Sequence, residues 1–151
     1  MSLKEKRNYY KPFEYPWAFE YYKAQRKMDW HIEEVPIQDD LKDYNNKLNE
    51  DEKRLIRQIF RFFTQADCDV SGGYCDHSIP TFKPPEVRMM MSAFAAMEAN
   101  HIEAYSVMLD TLGLPESEYA MFSKIESMAE KHDYLNNFTM KKNFFRFEGR
   151  I

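Results

Sequence analysis

Glycine is scarce, with four in 151 residues. That leaves little material for the tight turns of a strand-rich chain and favours long helices. Cysteine is rarer still. Cys68 and Cys75 stand seven apart, which fits no zinc spacing and suits a cytoplasmic chain with reduced thiols. No apolar run is long enough to span a membrane, and the start, Met1-Ser2-Leu3-Lys4-Glu5-Lys6-Arg7, lacks the hydrophobic segment of a signal peptide. There is no basic block either. The net charge of -4 comes from interspersed signs, so nucleic acid is set aside as a partner. Internal repeats and low-complexity segments are also missing.

What the chain does contain is apolar and aromatic. Hydrophobic residues make up 44%, enough at this length for one domain with a core but not two. Twelve Phe, ten Tyr and ten Met supply thick, adaptable interiors for helices.

One stripe organises the rest. Between about Pro85 and Leu112 the residues Val87, Met91, Phe94, Glu98, His101, Tyr105, Met108 and Leu112 recur in alternating steps of four and three. That is the period of one helix face. Such a face is normally apolar throughout. Here its middle holds a carboxylate, an imidazole and a phenol, and an unpaired carboxylate is too costly for an ordinary core.

Residues 1–15 are polar and aromatic and read as an extended arm. Tyr15-Pro16-Trp17 opens a short helix, since Pro suits a first turn, and helix formers continue to Lys27. Trp30 to Asn46 reads as an irregular linker anchored by Trp30, with Pro36 and the polar run Gln38-Asp39-Asp40 breaking any pattern. Asn49 followed by Glu52 is a capping box, so a helix is expected from about Glu50 to Val70 or Cys75. Its apolar face, Ile56, Ile59, Phe60, Phe63 and Val70, is interrupted by Asp67. Gly72-Gly73 is expected to end or bend it, and Ser78 to Pro85, with three prolines, to form a loop. Gly113 and Pro115 mark the end of the long helix. A further helix is expected over Ser117–Lys131, and Asp133 to Ile151 is mixed.

Two neighbouring helices therefore offer Asp67 on one and Glu98 plus His101 on the other. Glu-x-x-His sets both side chains one turn apart on one face. Helix bundles hold carboxylate-bridged metal pairs with this spacing, one helix giving a lone carboxylate and the next a Glu-x-x-His. Iron and manganese accept such mixed oxygen and imidazole ligands. Plainer readings stand beside these. Asp67 could be a solvated acid, Glu98 and His101 a hydrogen-bonded pair, Tyr105 a core tyrosine bonded to Asp67 or water, and Trp30 a packing anchor. His77 and His132 join no constellation, Met89-Met90-Met91 reads as core filling, and Cys68 as a packed thiol.

The segment Glu98-Ala99-Asn100-His101-Ile102-Glu103-Ala104-Tyr105-Ser106 resembles the metal-and-radical helix of the small (beta) subunit of class I ribonucleotide reductase. Arg61-Phe62-Phe63-Thr64-Gln65-Ala66-Asp67 resembles the preceding helix of that family, and Trp30-His31-Ile32-Glu33-Glu34-Val35 its Trp-x-x-Glu-Glu-Val segment. Asp67 and Glu98 lie 31 residues apart, a gap that also fits, and the resemblance covers roughly Tyr15 to Met140.

The resemblance implies an all-α, ferritin-like helical bundle. It implies that Asp67, Glu98 and His101 form the first half of a dinuclear site for iron, with manganese as the other candidate. Tyr105 would be oxidised to a stable radical, and Trp30 would lie on the electron-transfer route to the large (alpha) catalytic subunit. The assembled oligomeric enzyme would convert ribonucleotides to deoxyribonucleotides. The chain departs from the family in length, since members are more than twice as long. Their later helices supply a further Glu and a second Glu-x-x-His. No such pair follows Ile125, because Glu126 precedes Ala129 and Glu130 precedes Asp133 at that spacing. The expectation is therefore an N-terminal half: an arm, short helix and irregular linker over 1–48, a partial ferritin-like domain over 49–141, and a divergent tail over 142–151. Its partner would be a polypeptide carrying the C-terminal half. The rivals are a self-associating, ferritin-like dimetal protein, in which two copies provide six ligands, and an inactive fragment.

Overall fold

The computed structural model describes residues 2–140, and among them the regular structure is helical, with no strand. The expected tail 142–151 lies outside the described residues. Helix α1 spans Pro16–Lys27, α2 Ile37–Asn46, α3 Glu50–Gly72, α4 Ile79–Thr81, α5 Pro85–Thr111 and α6 Glu126–Met140. None is long and apolar enough to cross a membrane.

Helix α3 starts where its side chains supply the caps. Asn49 Oδ1 accepts from the backbone N–H of Asp51 and of Glu52, both at 3.0 Å, and Glu52 returns a carboxylate to the Asn49 N–H at 2.8 Å. Three acids in the first turn complement the helix dipole. At the far end of α5, Gly113 takes φ 69°, the left-handed conformation that stops a helix and that glycine adopts without steric cost.

Three segments differ from the sequence expectation. The stretch expected to be an irregular linker holds a 3-10 turn over Ile32–Glu34 and then the ten-residue α2. Pro36 precedes the helix instead of breaking it, and Asp39 and Asp40 lie in the first turn, where negative charge is favourable. Ile37 and Tyr44 are the buried contacts of this helix. The α-helix ends at the Gly72-Gly73 pair, as expected, but the chain does not open into a loop there. Gly73 is helical (φ -58°, ψ -38°), and a π-helical turn over Gly73–Ser78 carries the chain into α4, so only Phe82 to Pro84 remain of the expected loop. Pro80 is tolerated there because a first turn has no N–H to lose. Of the helix expected over Ser117–Lys131 only the part from Glu126 onward is helical, as the start of α6; before it stand two short turns, Glu116–Glu118 and Met121–Lys124. Ile125 is extended (φ -101°, ψ 107°), and α6 begins after it.

Helix α5 is the spine, packed chiefly against α3 and α1. Towards its start, Val87 and Met90 form a buried cluster with Ala18 of α1. Further along, Ala104 forms a second cluster with Ile32 and Ile37, joined by Trp30, Val107 and Met108. The polar middle of α5 lies between these two apolar clusters.

The arm over residues 1–15 is tied to α5 more firmly than its composition suggests. Arg7 and Glu86 are both buried, and Arg7 Nη2 lies 2.5 Å from Glu86 Oε2. Glu86 Oε1 also accepts from the N–H groups of Glu14 (3.0 Å) and Tyr15 (3.1 Å), while Arg7 donates to the carbonyls of Tyr9 and Tyr10 at 2.9 Å each. The buried guanidinium of Arg7 and carboxylate of Glu86 thus regain the partners that burial strips from them.

Candidate metal centre

Asp67 is carried by α3, and Glu98 and His101 by successive turns of α5. Antiparallel packing of α3 and α5 brings the three together. One donor atom from each lies within 4.8 Å of the others. His101 Nδ1 is 3.3 Å from Glu98 Oε2 and 3.9 Å from Asp67 Oδ2. The same ring nitrogen therefore faces both carboxylates.

The electrostatics are those of a site short of positive charge. The Asp67 and Glu98 side chains are 16% and 17% exposed, while His101 is 38% exposed. Among the described residues, His101 is the only basic group within ion-pairing distance of either acid. Burial raises the Asp67 pKa, the charge of Glu98 raises it further, and His101 lowers it only in part. Two half-buried acids held together against their repulsion, with an imidazole nitrogen aimed at both, make a donor set that fits a divalent iron or manganese ion.

Tyr105 lies one turn beyond His101. Its ring stacks on Phe63 (centroids 5.9 Å apart, 20° between planes) and packs on Phe60 at 6.0 Å. Burial raises the pKa of its phenol, and the charges of Asp67 and Glu98 add to the rise. The hydroxyl makes no hydrogen bond to Asp67 or to another described residue. Trp30 sits on the other side of the trio, its ring centroid 6.2 Å from that of His101 and tilted by 33°. All five residues singled out in the sequence thus gather along one stretch of the α3–α5 pair.

Several residues of this region escaped sequence reasoning. Tyr74, in the π-helical turn, packs on Phe94, and both burial and the charge of Glu98 raise its pKa. It lines a cleft of about 440 Å³ with Gln25, Met28, Trp30, Phe94, Met97, Glu98 and His101. The irregular π-turn could not be anticipated, so neither could the facing of Tyr74. His132, expected to join no constellation, donates from Nδ1 to Asp69 Oδ2 at 2.6 Å, and Gln65 Nε2 donates to Asp69 Oδ1 at 3.0 Å. The Gln65 and Asp69 pair, one turn apart on α3, was the available signal. Arg61 of α3 pairs with Glu118 across the helix-to-turn junction. Cys68 is exposed rather than packed.

Comparison with known proteins gives one consistent answer. The family model for the small chain of ribonucleotide reductase matches residues 7–148. A probable ribonucleoside-diphosphate reductase small subunit of Invertebrate iridescent virus 6 is 47% identical over 139 residues, covering 92% of this chain and 39% of the relative. Its counterpart in Invertebrate iridescent virus 3 is 41% identical over 141 residues, covering 93% of this chain and 37% of the relative. The chain thus spans about two fifths of the length of these relatives, in their N-terminal part. Among solved structures, the dimanganese(II) NrdF of Streptococcus sanguinis superposes with a TM-score of 0.78 at 20% identity, over 91% of this chain and 49% of that one. The ribonucleotide reductase R2 subunit from Clostridium botulinum gives 0.77 at 22% identity, over 87% and 42%. The shared fold is the expected all-α, ferritin-like one, of which this chain covers a part.

Proposed function

The chain belongs to the ribonucleotide reductase small-chain family, and from that premise we propose that it supplies the first half of a dinuclear metal site and the radical tyrosine of a ribonucleoside-diphosphate reductase. The observation that carries the reading is the trio itself: two carboxylates and one imidazole from two helices, converging with no other cation among the described residues.

Asp67, Glu98 and His101 would hold the metal, iron in the first place and manganese as the alternative. When bound, the metal pair supplies oxidising power after reaction with oxygen. Tyr105 would be the residue that loses an electron. Its ring packs on Phe60 and stacks on Phe63, and the nearby negative charge favours removal of an electron. Losing that electron frees the phenol proton, which a base of the assembled site would accept. Trp30, packed against His101, offers an indole between the metal ligand and the surface. Through it the radical would reach the large catalytic subunit, where ribonucleotides are reduced. This reading places the protein in the cytoplasm with Cys68 and Cys75 as free thiols.

A dinuclear site needs more ligands than this chain brings, so the reading requires a polypeptide carrying the C-terminal half. An exposed apolar strip on α3, with Leu55 57%, Ile59 39%, Phe63 42% and Val70 37% exposed, supports a missing partner. The same strip suits a second reading, in which two copies pair and pool six ligands. Co-expression with the remaining part of the small subunit, followed by anaerobic ferrous loading and exposure to air, separates the two. A one-to-one complex holding two metals, with a tyrosyl signal in electron paramagnetic resonance, is the expected result. A dimer of this chain alone holding two metals per dimer would support self-pairing. Absence of metal from both would sink the metal reading.

A further inference from the structure

Asn100 stands between the two proposed ligands of α5, one residue before His101 and two after Glu98, and points away from them. Its side-chain amide has two N–H donors, and both are used across the interface with the segment before the Ile32–Glu34 turn. Nδ2 donates to the backbone carbonyl of Trp30 at 2.9 Å and to Oδ1 of Asp29 at 3.2 Å. The helix turn that carries the metal ligands therefore also grips the backbone of the residue whose indole lies against His101.

The geometry points to Asn100 as the positioning residue that holds Trp30 against His101, so that the ligand turn and the indole move as one unit. This rests on the reading of Trp30 as the electron-transfer residue beside a metal ligand. The chemistry is specific to an amide. A carbonyl and a carboxylate oxygen are both acceptors, and the two N–H groups of one amide nitrogen satisfy them together. Aspartate has the same shape but no donor, and it would set a second negative charge beside Asp29. The apolar cluster of Ile32, Ile37 and Ala104 also contacts Trp30, but it lies on the side of the next turn of α5. Without the Asn100 bonds, no side-chain hydrogen bond from a described residue holds the Trp30 backbone against the turn that carries His101.

The test uses the full chain with Trp17→Phe, which leaves Trp30 as the single indole. In metal-free protein we expect a nuclear Overhauser cross-peak between the Trp30 indole and the His101 imidazole. Asn100→Ala and Asn100→Asp are each expected to lose that cross-peak while far-ultraviolet circular dichroism keeps its helical signal. A purely stabilising bond would leave the ring contact in place, so persistence of the cross-peak in either folded variant overturns the proposal. Addition of Mn(II) alone gives a second readout. It should broaden the Trp30 indole N–H in the Trp17→Phe chain and broaden it less in the Asn100 variants. A cross-peak that depends on Asn100, without any broadening by Mn(II), would support the positioning role and count against the metal reading. The two can therefore fail separately.

Discussion

His101 Nδ1 on α5 lies 3.9 Å from Asp67 Oδ2 on α3, close enough to feel its charge but too far for a hydrogen bond. The gap is bridged neither by a proton nor by another cationic side chain among the described residues. Burial first, then the charge of Glu98, raises the Asp67 pKa. The sign of the consequence follows from linkage. The folded metal-free chain binds a proton at Asp67 more tightly than the unfolded chain does. The contribution of Asp67 to stability is therefore fully present below the ordinary carboxylate range and is lost as pH rises through the raised value. Asp67→Asn should raise the melting temperature of metal-free protein at neutral pH and flatten this slope. The same change should weaken Mn(II) binding by the assembled site by more than the roughly 10–100-fold seen on losing a mere supporting partner. Calorimetric melts across pH and metal titration check the two halves. An Asp67→Asn chain that melts lower and binds metal unchanged would contradict both.

The Arg7–Glu86 pair should behave oppositely with pH. Burial alone would raise the Glu86 pKa, but its own backbone N–H, Arg7 and the Tyr15 N–H more than offset that, and the net shift is downward. A depressed carboxyl stabilises the fold above its unfolded value, and that contribution is lost as pH falls through the folded value. Arg7→Ala leaves a buried carboxylate unpaired and should cost about 3–5 kcal/mol, whereas the joint change Arg7→Met with Glu86→Leu should cost far less. Urea unfolding at neutral pH measures both. Equal losses in the single and joint variants would mean the pair acts through packing alone.

Tyr105→Phe isolates chemistry from packing. The ring keeps its stack on Phe63 and its contact with Phe60, and the lost hydroxyl bonds to no described residue. Stability should change by no more than about 0.5 kcal/mol. Metal uptake by the complex should persist while the tyrosyl resonance disappears. A resonance that survives would move the radical to another aromatic side chain.

The legible parts of this chain were those written in short-range pattern. The stripe from Val87 to Leu112, the Asn49 and Glu52 capping box and the Gly113 stop each depend on residues within a few positions of one another, and each formed as expected. The gathering of Asp67 with Glu98 and His101 was legible because a polar residue on an apolar stripe implies a partner across the helix interface. What the sequence hid lay in backbone choices with small energy differences or in pairs far apart. Pro36 could break or begin a helix, and Gly72-Gly73 could end a helix or continue it as a π-turn. Arg7 and Glu86 are 79 residues apart, and Asp69 and His132 are 63 apart, so no local period links them.

His132 carries a prediction of its own. Its bond to Asp69 joins α6 to α3, and the Asp69 side chain is only 10% exposed. Phe122 packs edge-on to the imidazole at 5.2 Å, fixing its orientation. His132→Ala removes the donor and leaves Asp69 with Gln65 alone, which should cost about 1–3 kcal/mol. Because the bond anchors α6, hydrogen exchange should accelerate first in Glu126–Met140 and least around Val87. Uniform acceleration would mean that α6 does not open as a separate unit.

The α3 strip offers the sharpest trial of the half-subunit reading. Leu55 and Ile59 are one turn apart on the solvent side of the helix, and neither belongs to a buried cluster. Leu55→Lys with Ile59→Glu should leave the isolated chain folded, since neither change empties a core. In the complex with the C-terminal half, each apolar side chain would lose burial worth roughly 1–2 kcal/mol, or about tenfold in affinity per position. Association measured by analytical ultracentrifugation or calorimetry should therefore weaken by about a hundredfold for the pair, and self-association of the isolated chain should fall with it. If the double variant binds the C-terminal half as tightly as the parent, the strip is ordinary surface, and the partner docks elsewhere. If only self-association is lost, the strip belongs to an interface between copies of this chain, and the six-ligand dimer becomes the better account of Asp67, Glu98 and His101.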